Sequence, residues 1–218
     1  MFDLDKSFDY ENGFYLTAPV KRISKFVSRI EFYNMTKELS GEIVECGVFK
    51  GASLSQFVKL RSLYGNAWSK KIIAFDIFDK FPEDKSKIDE KHRENFINEA
   101  GDTSISVDEL SSIYNNLGLN ENVDLIKGNV LETIPSYIEK NTHLKISLLH
   151  IDVDLFEPTK VCLEYLFPKL VKGGIVILDD YGAFPGANKA IDEYFNNTDT
   201  KIFQLPYSNS ISYVVKTS

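Results

Sequence analysis

The chain has 218 residues, 43% hydrophobic and 26% charged, a composition typical of a folded, water-soluble domain, and we expect a single domain over residues 1–218. Its formal charge of −7 argues against a general nucleic-acid binder, because such proteins are usually basic. No apolar run reaches the roughly 18 residues of a membrane-spanning helix, and no secretory signal is evident. Cys46 and Cys162 suggest neither a disulfide framework nor a thiolate metal site, so a cytoplasmic location is expected.

Short apolar runs alternate along the chain with amphipathic runs, the pattern of a parallel sheet covered by helices on both faces. A helix is predicted over Lys21–Leu39, within an N-terminal helical segment of residues 1–40. The five strands predicted next are Glu42–Cys46, Lys71–Asp76, Val123–Lys127, Ile146–Asp152 and Ile175–Leu178. The predicted helices are Ser53–Tyr64, Asp89–Ala100, Val107–Leu117, Leu131–Lys140, Glu157–Leu170 and Ala187–Phe195.

Two stretches depart from this alternation. Residues 78–122 form a long polar excursion between two strands, which suggests a lid or a substrate platform. Near the end of the chain, Lys201–Leu205 and Ser210–Lys216 are predicted as two strands whose short connection implies an antiparallel pair.

Basic residues of the first helix and the excursion either hold a diphosphate or form a solvated surface. They are Lys21, Arg22, Lys25, Lys80, Lys85, Lys87, Lys91 and Arg93.

The first predicted strand ends in a glycine turn. Ligands of open α/β sheets bind outside the carboxyl ends of the strands, so the residues that follow each strand are candidate site residues. Gly47 and Gly51 have the spacing G-x-x-x-G, and Phe49 stands where the G-x-G-x-x-G turn of a nicotinamide site would carry glycine. The turn therefore favours a ligand without a pyrophosphate at that point, or is a purely structural strand-to-helix connection.

The next strands end in polar side chains. Asp76 suits two ribose hydroxyls, and the alternative is a solvated loop acid. Asn129 suits an adenine edge, and the alternative is ordinary Gly-Asn turn chemistry. His150 lies two residues before Asp152 and points to the same side of its strand. It is a candidate base or supporting residue, or a histidine of the core.

Four carboxylates follow the fourth and fifth strands: Asp152, Asp154, Asp179 and Asp180. Like charges held together are costly unless a cation neutralises them. Oxygen ligands suit Mg²⁺, Mn²⁺ or Ca²⁺, and no cysteine–histidine set is present for zinc. The cluster therefore predicts a divalent metal site, with helix capping or surface acids as the alternative.

Four blocks of the sequence together resemble the macrocin O-methyltransferase family, whose members are metal- and S-adenosylmethionine-dependent sugar O-methyltransferases. The likeness extends from about Asn12 to Val215. The chain also resembles 3-O-methyltransferases of nucleotide-linked deoxyhexoses. The blocks are EIVECGVFKGASL (42–54), IIAFDIFDKFP (72–82), LLHIDVDLFEPT (148–159) and GGIVILDDYGAFPGANKAIDE (173–193).

The resemblance implies a Rossmann-like class I methyltransferase fold, α/β, with a seven-stranded, mostly parallel sheet and an antiparallel last strand. It implies that Asp76 binds the ribose of S-adenosylmethionine, and it places Asn129 where such enzymes more often carry aspartate near the adenine. The metal ligands would be Asp152, Asp179 and Asp180, with Asp154 as the alternative to Asp152. Such enzymes often assemble, which makes the N-terminal helix a candidate homo-oligomer interface. The cofactor-binding residues implied are Glu45, Gly47, Gly51, Ser53, Asp76, Asn129 and Asp152.

The resulting hypothesis is in-line methyl transfer from S-adenosylmethionine to a sugar hydroxyl whose ionisation Mg²⁺ or another divalent cation favours. Candidate proton acceptors are Asp152, Asp154 and His150, in that order. Three alternatives stay open: transfer to a catechol or another vicinal diol, a nicotinamide-dependent oxidoreductase, and a non-catalytic binding protein with the same fold.

Overall fold

The computed structural model describes residues 2–81, 88–208 and 210–217. At its centre is a seven-stranded sheet with the order β3-β2-β1-β4-β5-β7-β6. Strands β1 to β5 are parallel, and β7 is antiparallel to both β5 and β6, which confirms the predicted sheet. The strands are β1 (Glu42–Cys46), β2 (Ile72–Asp76), β3 (Val123–Lys127), β4 (Ile146–Ile151), β5 (Leu170–Leu178), β6 (Phe203–Gln204) and β7 (Ser212–Val215).

Helices cover both faces of the sheet. Neighbouring residues of one strand alternate between two cores: Ile43 packs beneath α2, α3 and α5, and Val44 packs beneath α6, α7 and α8. Strands β2 and β4 are buried at every position because neither face meets solvent. The helices are α1 (Ser7–Thr17), α2 (Val20–Thr36), α3 (Ala52–Tyr64), α4 (Glu90–Ala100), α5 (Val107–Leu117), α6 (Val130–Lys140), α7 (Phe156–Leu166) and α8 (Pro185–Phe195).

Several predicted boundaries were wrong. The helix predicted to reach Leu170 ends at Leu166, because Pro168 has no N–H to continue its hydrogen bonding. Leu170 instead opens β5, where it pairs with Ile146. Helix α2 ends at Thr36 rather than at Leu39. Strand β6 is limited to two residues.

Helix α1 was not predicted as a separate element. None of its residues is buried, so its sequence carries no apolar stripe to reveal it. Within the described residues no helix is long and apolar enough to cross a membrane.

The polar excursion packs on the carboxyl edge of the sheet. Ile105 N–H donates to the carbonyl of Phe49 in the glycine turn, 2.7 Å away. Buried Asp89 accepts a 2.8 Å hydrogen bond from Gly186 N–H at the start of α8. The excursion is therefore attached both to the glycine turn and to the helix that follows β5. Lys85 and Lys87 lie outside the described residues.

Candidate functional site

The glycine turn after β1 lies against the end of β4. Gly47 has a φ of +91°, and a Cβ atom added there would lie 1.7 Å from the carbonyl oxygen of Asp152. Gly51 has a φ of +82° and precedes α3 directly. Both positions thus require glycine, and the first brings the turn into contact with the acid cluster.

Asp76, the predicted ribose ligand, organises this turn. One carboxylate oxygen accepts from Val48 N–H (2.7 Å) and Phe49 N–H (3.1 Å), and the other accepts from Phe78 N–H (2.6 Å). A carboxylate has about four acceptor sites, so capacity for one further donor is left. Ribose binding at Asp76 remains a prediction.

A buried polar chain connects the turn to the acid cluster. The Ser53 hydroxyl donates to Glu45, and His150 lies between Glu45 (Nδ1 to Oε1, 3.5 Å) and Asp179 (Nε2 to Oδ1, 3.7 Å). Burial opposes protonation of the imidazole, but the flanking carboxylates of Asp179 and Glu45 outweigh burial and raise the pKa of His150 to about 9. The ring is fully buried, which suits a residue that positions carboxylates better than one that contacts substrate.

The four predicted acids come together at the ends of β4 and β5. Oxygen atoms of Asp152, Asp154 and Asp180 lie within 4.8 Å of one another, and Asp152 forms a second such group with His150 and Asp179. Burial, reinforced by nearby carboxylates, raises the pKa of Asp152 and that of Asp154 to about 7. Burial also raises the pKa of Asp180 well above its usual value. The raised pKa values mean that holding these carboxylates together in their charged form is unfavourable, and a bound dication would offset that free energy.

Asp179 differs because α2 supplies it with positive charge. The Lys25 ammonium donates to one carboxylate oxygen, and Arg29 lies 3.7 Å from the other. Burial alone would raise the pKa of Asp179, but these cations and His150 outweigh it and hold that pKa well below its usual value. Sequence reasoning placed Lys25 only among candidate diphosphate ligands and missed Arg29.

Asn129 begins α6 at an exposed position. Its side-chain oxygen accepts a 3.0 Å hydrogen bond from Leu131 N–H, so it caps the helix. Of the sequence-derived candidates, Asn129 has the clearest structural role, and the adenine contact stays a prediction.

The donor set fits a hard dication. Carboxylate oxygens converge from two adjacent strands, and the buried Oδ1 of Asp179 and Oε2 of Glu45 have no hydrogen-bond partner among the described residues. The cluster contains no thiolate, which disfavours a soft metal.

A family model described as macrocin-O-methyltransferase (TylF) matches residues 15–204. The chain belongs to this family. The resemblance carried by the four sequence blocks is therefore confirmed.

Curated proteins also resemble this chain at low sequence identity. One is an 8-demethyl-8-(2,3-dimethoxy-alpha-L-rhamnosyl)-tetracenomycin-C 4'-O-methyltransferase of Streptomyces olivaceus, 27% identical over 158 residues. That match covers 71% of this chain but only 58% of the relative. Another is the mycinamicin III 3''-O-methyltransferase of Micromonospora griseorubida, 24% identical over 190 residues, which are 85% of this chain and 72% of the relative.

Solved structures share the fold of this chain. The calicheamicin methyltransferase CalS11 superposes with a TM-score of 0.78 at 26% identity over 96% of this chain and 85% of that one. The O-methyltransferase NovP gives a TM-score of 0.74 at 24% identity over 91% and 80% of the two chains, a likeness of fold. The predicted class I methyltransferase fold is thereby confirmed.

Proposed function

We propose that this chain is an S-adenosylmethionine- and divalent-metal-dependent O-methyltransferase whose acceptor is a sugar hydroxyl. The observation that carries the proposal is the contact between Gly47 and Asp152. It sets the glycine turn, a feature of cofactor binding in this class of fold, directly beside a cluster of four acids. A methyl donor and a metal-held acceptor would therefore meet at one edge of the sheet.

The cofactor-binding residues proposed are those predicted from sequence. Gly47 and Gly51 supply the positive φ angles of the turn, and Glu45 and Ser53 lie buried beside it. Asp76 fixes the turn through two of its backbone N–H groups, those of Val48 and Phe49. We accordingly propose that the methionine end of the cofactor lies at the glycine turn and its ribose at the end of β2.

The metal ligands proposed are Asp152, Asp179 and Asp180, with Asp154 beside them. When bound, a dication there would favour ionisation of a coordinated hydroxyl and hold two neighbouring hydroxyls at once. The proton acceptors proposed are Asp152 and Asp154, whose carboxylates follow β4 and belong to the acid cluster. We assign His150 to positioning Glu45 and Asp179.

The acceptor proposed is a deoxyhexose linked to a nucleotide, methylated at the 3-position. One relative in support is described as a TDP-rhamnose 3'-O-methyltransferase (TM-score 0.68, 26% identity over 94% of this chain and 84% of that one). Another relative is described as a methyltransferase of a rhamnosyl-tetracenomycin, so a glycoside is the nearest alternative. Catechols and other vicinal diols would suit the same metal.

The proposal is tested by ligand-dependent melting and by methyl transfer. S-adenosylhomocysteine should raise the melting temperature and NAD should not. Radiolabelled methyl from S-adenosylmethionine should then appear on a sugar within a panel of nucleotide sugars, glycosides and catechols. A shift with NAD alone, or no transfer to any member of the panel, would remove the proposal.

We further propose a cytoplasmic, self-associating protein. Cys46 and Cys162 are both free and buried, as suits a reducing compartment. Helix α1 exposes Phe8, Tyr15 and Leu16 to solvent, which suits a contact with a second copy. Light scattering on chains with and without Leu16→Lys tests the second point, since loss of the oligomer is expected only in the variant.

A further inference from the structure

A cavity of about 400 Å³ lies outside the acid cluster, between α2 and α3 and beneath Phe14 of α1. Its apolar wall includes Phe26, Leu60 and Leu63. Four cationic side chains also line it, and no acidic residue among those described does: Arg22, Lys25, Arg29 and Lys59. A cavity with this lining selects a ligand that is part apolar and part anionic.

Three of these cations form one stripe along α2. Arg22, Lys25 and Arg29 are spaced by three and four residues, so they share one face of the helix. From Arg22 to Arg29 the helix rises by about 10 Å. The stripe begins at the candidate metal site, where Lys25 and Arg29 approach Asp179, and it leads outward along the cavity.

The cations of this cavity are incompletely neutralised. Within the described parts of the chain, Arg22 and Lys59 form no ion pair with an acid. Arg29 is mostly buried, and its Nε has no hydrogen-bond partner among the described residues. A buried guanidinium nitrogen without an acceptor is costly, so an acceptor from a ligand would be stabilising.

We propose that this cavity is the diphosphate subsite for a nucleotide-linked sugar, with Arg22, Arg29 and Lys59 binding the phosphate oxygens. This inference rests on the proposed sugar O-methyltransferase function and deepens it. A hexose whose hydroxyl lies at Asp152 and Asp179 carries its diphosphate several ångströms away, which is where the stripe continues. The apolar wall would accommodate the nucleoside. A neutral antibiotic glycoside would leave these cations unused.

The test is titration of thymidine diphosphate into the full chain saturated with S-adenosylhomocysteine and treated with chelator, so that no metal can hold the phosphates. Thymidine is the neutral control ligand. Arg22→Gln and Lys59→Gln should each weaken thymidine diphosphate binding by roughly tenfold, because each removes a charge-assisted contact. Lys21→Gln is the matched control, since Lys21 is exposed on the same helix but does not line the cavity.

The subsite is supported if the chain binds thymidine diphosphate but not thymidine, and if Arg22→Gln and Lys59→Gln weaken that binding while Lys21→Gln does not. Equal binding by all variants, or no binding of thymidine diphosphate, overturns it. The proposal is also overturned if Arg22→Gln and Lys59→Gln weaken the binding of S-adenosylhomocysteine as much as that of thymidine diphosphate, because the cavity would then belong to the cofactor. Methyl transfer to a neutral glycoside with no response to thymidine diphosphate would reject the subsite and leave the proposed methyltransferase function intact.

Discussion

The ammonium group of Lys25 on α2 contacts the carboxylate of Asp179 at the end of β5. The pair joins the N-terminal helices to the candidate metal site, and both side chains are largely buried. The Lys25 ammonium therefore lies beside a carboxylate, Asp179, that is also a proposed ligand of the dication.

Lys25→Gln should strengthen metal binding. The ammonium repels a dication near Asp179, so its removal should lower the Kd for Mn²⁺ by several-fold, a change of about 1 kcal/mol. The metal-free variant should melt at a lower temperature, because Asp179 loses its closest counter-charge. Calorimetric titration with Mn²⁺ measures the first effect, and Lys21→Gln is the control. Unchanged or weaker Mn²⁺ binding would show that Lys25 does not oppose the metal.

Asp179→Ala should abolish methyl transfer and leave S-adenosylhomocysteine affinity largely intact. It should also destabilise the chain by about 3–5 kcal/mol, because Lys25 and His150 lose a buried anionic partner. Asp180→Asn is the companion variant. Burial raises the pKa of Asp180 and no cation pairs with it among the described residues, so its replacement should impair transfer at a smaller cost in stability. Denaturant unfolding separates the two, and equal destabilisation would contradict this account.

The stabilisation by Mg²⁺ should grow with pH. In the metal-free chain the pKa values of Asp152 and Asp154 are raised to about 7, against about 4 when unfolded. Between these values the folded state holds protons that the unfolded state has released, so the free energy of unfolding falls as pH rises. Mg²⁺ competes with those protons. The increase in melting temperature caused by Mg²⁺ should therefore be larger at pH 8 than at pH 5.5.

His150 also contributes to the pH dependence: because its pKa is raised to about 9, the free energy of unfolding falls as pH rises towards that value. The melting temperatures with and without Mg²⁺ are therefore compared at one fixed pH, where this contribution cancels. If Mg²⁺ gave the same shift at both pH values, the acids would not be the groups that exchange protons for metal.

Gly47→Ala should abolish S-adenosylhomocysteine binding. The new methyl group would clash with the backbone of Asp152, and the φ of +91° adds strain. Gly182→Ala separates the two causes, because Gly182 has a φ of +94° but open space around its Cβ position. That control should lose only about 1–2 kcal/mol of stability and keep its cofactor. Retained S-adenosylhomocysteine affinity in Gly47→Ala would remove the turn from the cofactor site.

Much of the sheet was predictable because its central strands are buried on both faces and read as unbroken apolar runs. The convergence of Asp152, Asp154, Asp179 and Asp180 followed from a single rule, that parallel strands end at one edge. The contact of Lys25 with Asp179 was not predictable, because it depends on how α2 packs across β5. The spacing of residues along a helix does not show which of its several basic side chains contacts an acid that is distant in the sequence.

Asp89 illustrates the same limit. Its sequence context is a polar segment, yet the carboxylate is buried and binds the start of α8. Helix α1 was missed for the opposite reason, since it buries nothing and so leaves no pattern in its apolar residues.

Methyl transfer after removal of metal shows whether the four aspartates act through a bound dication. The chain is treated with chelator, desalted, and assayed with radiolabelled S-adenosylmethionine and the best acceptor of the sugar panel, with and without added Mg²⁺. We expect transfer to fall by orders of magnitude without metal and to return on addition of Mg²⁺, while S-adenosylhomocysteine affinity changes little. Transfer at an undiminished rate in the stripped chain would contradict a metal-binding role for the four aspartates.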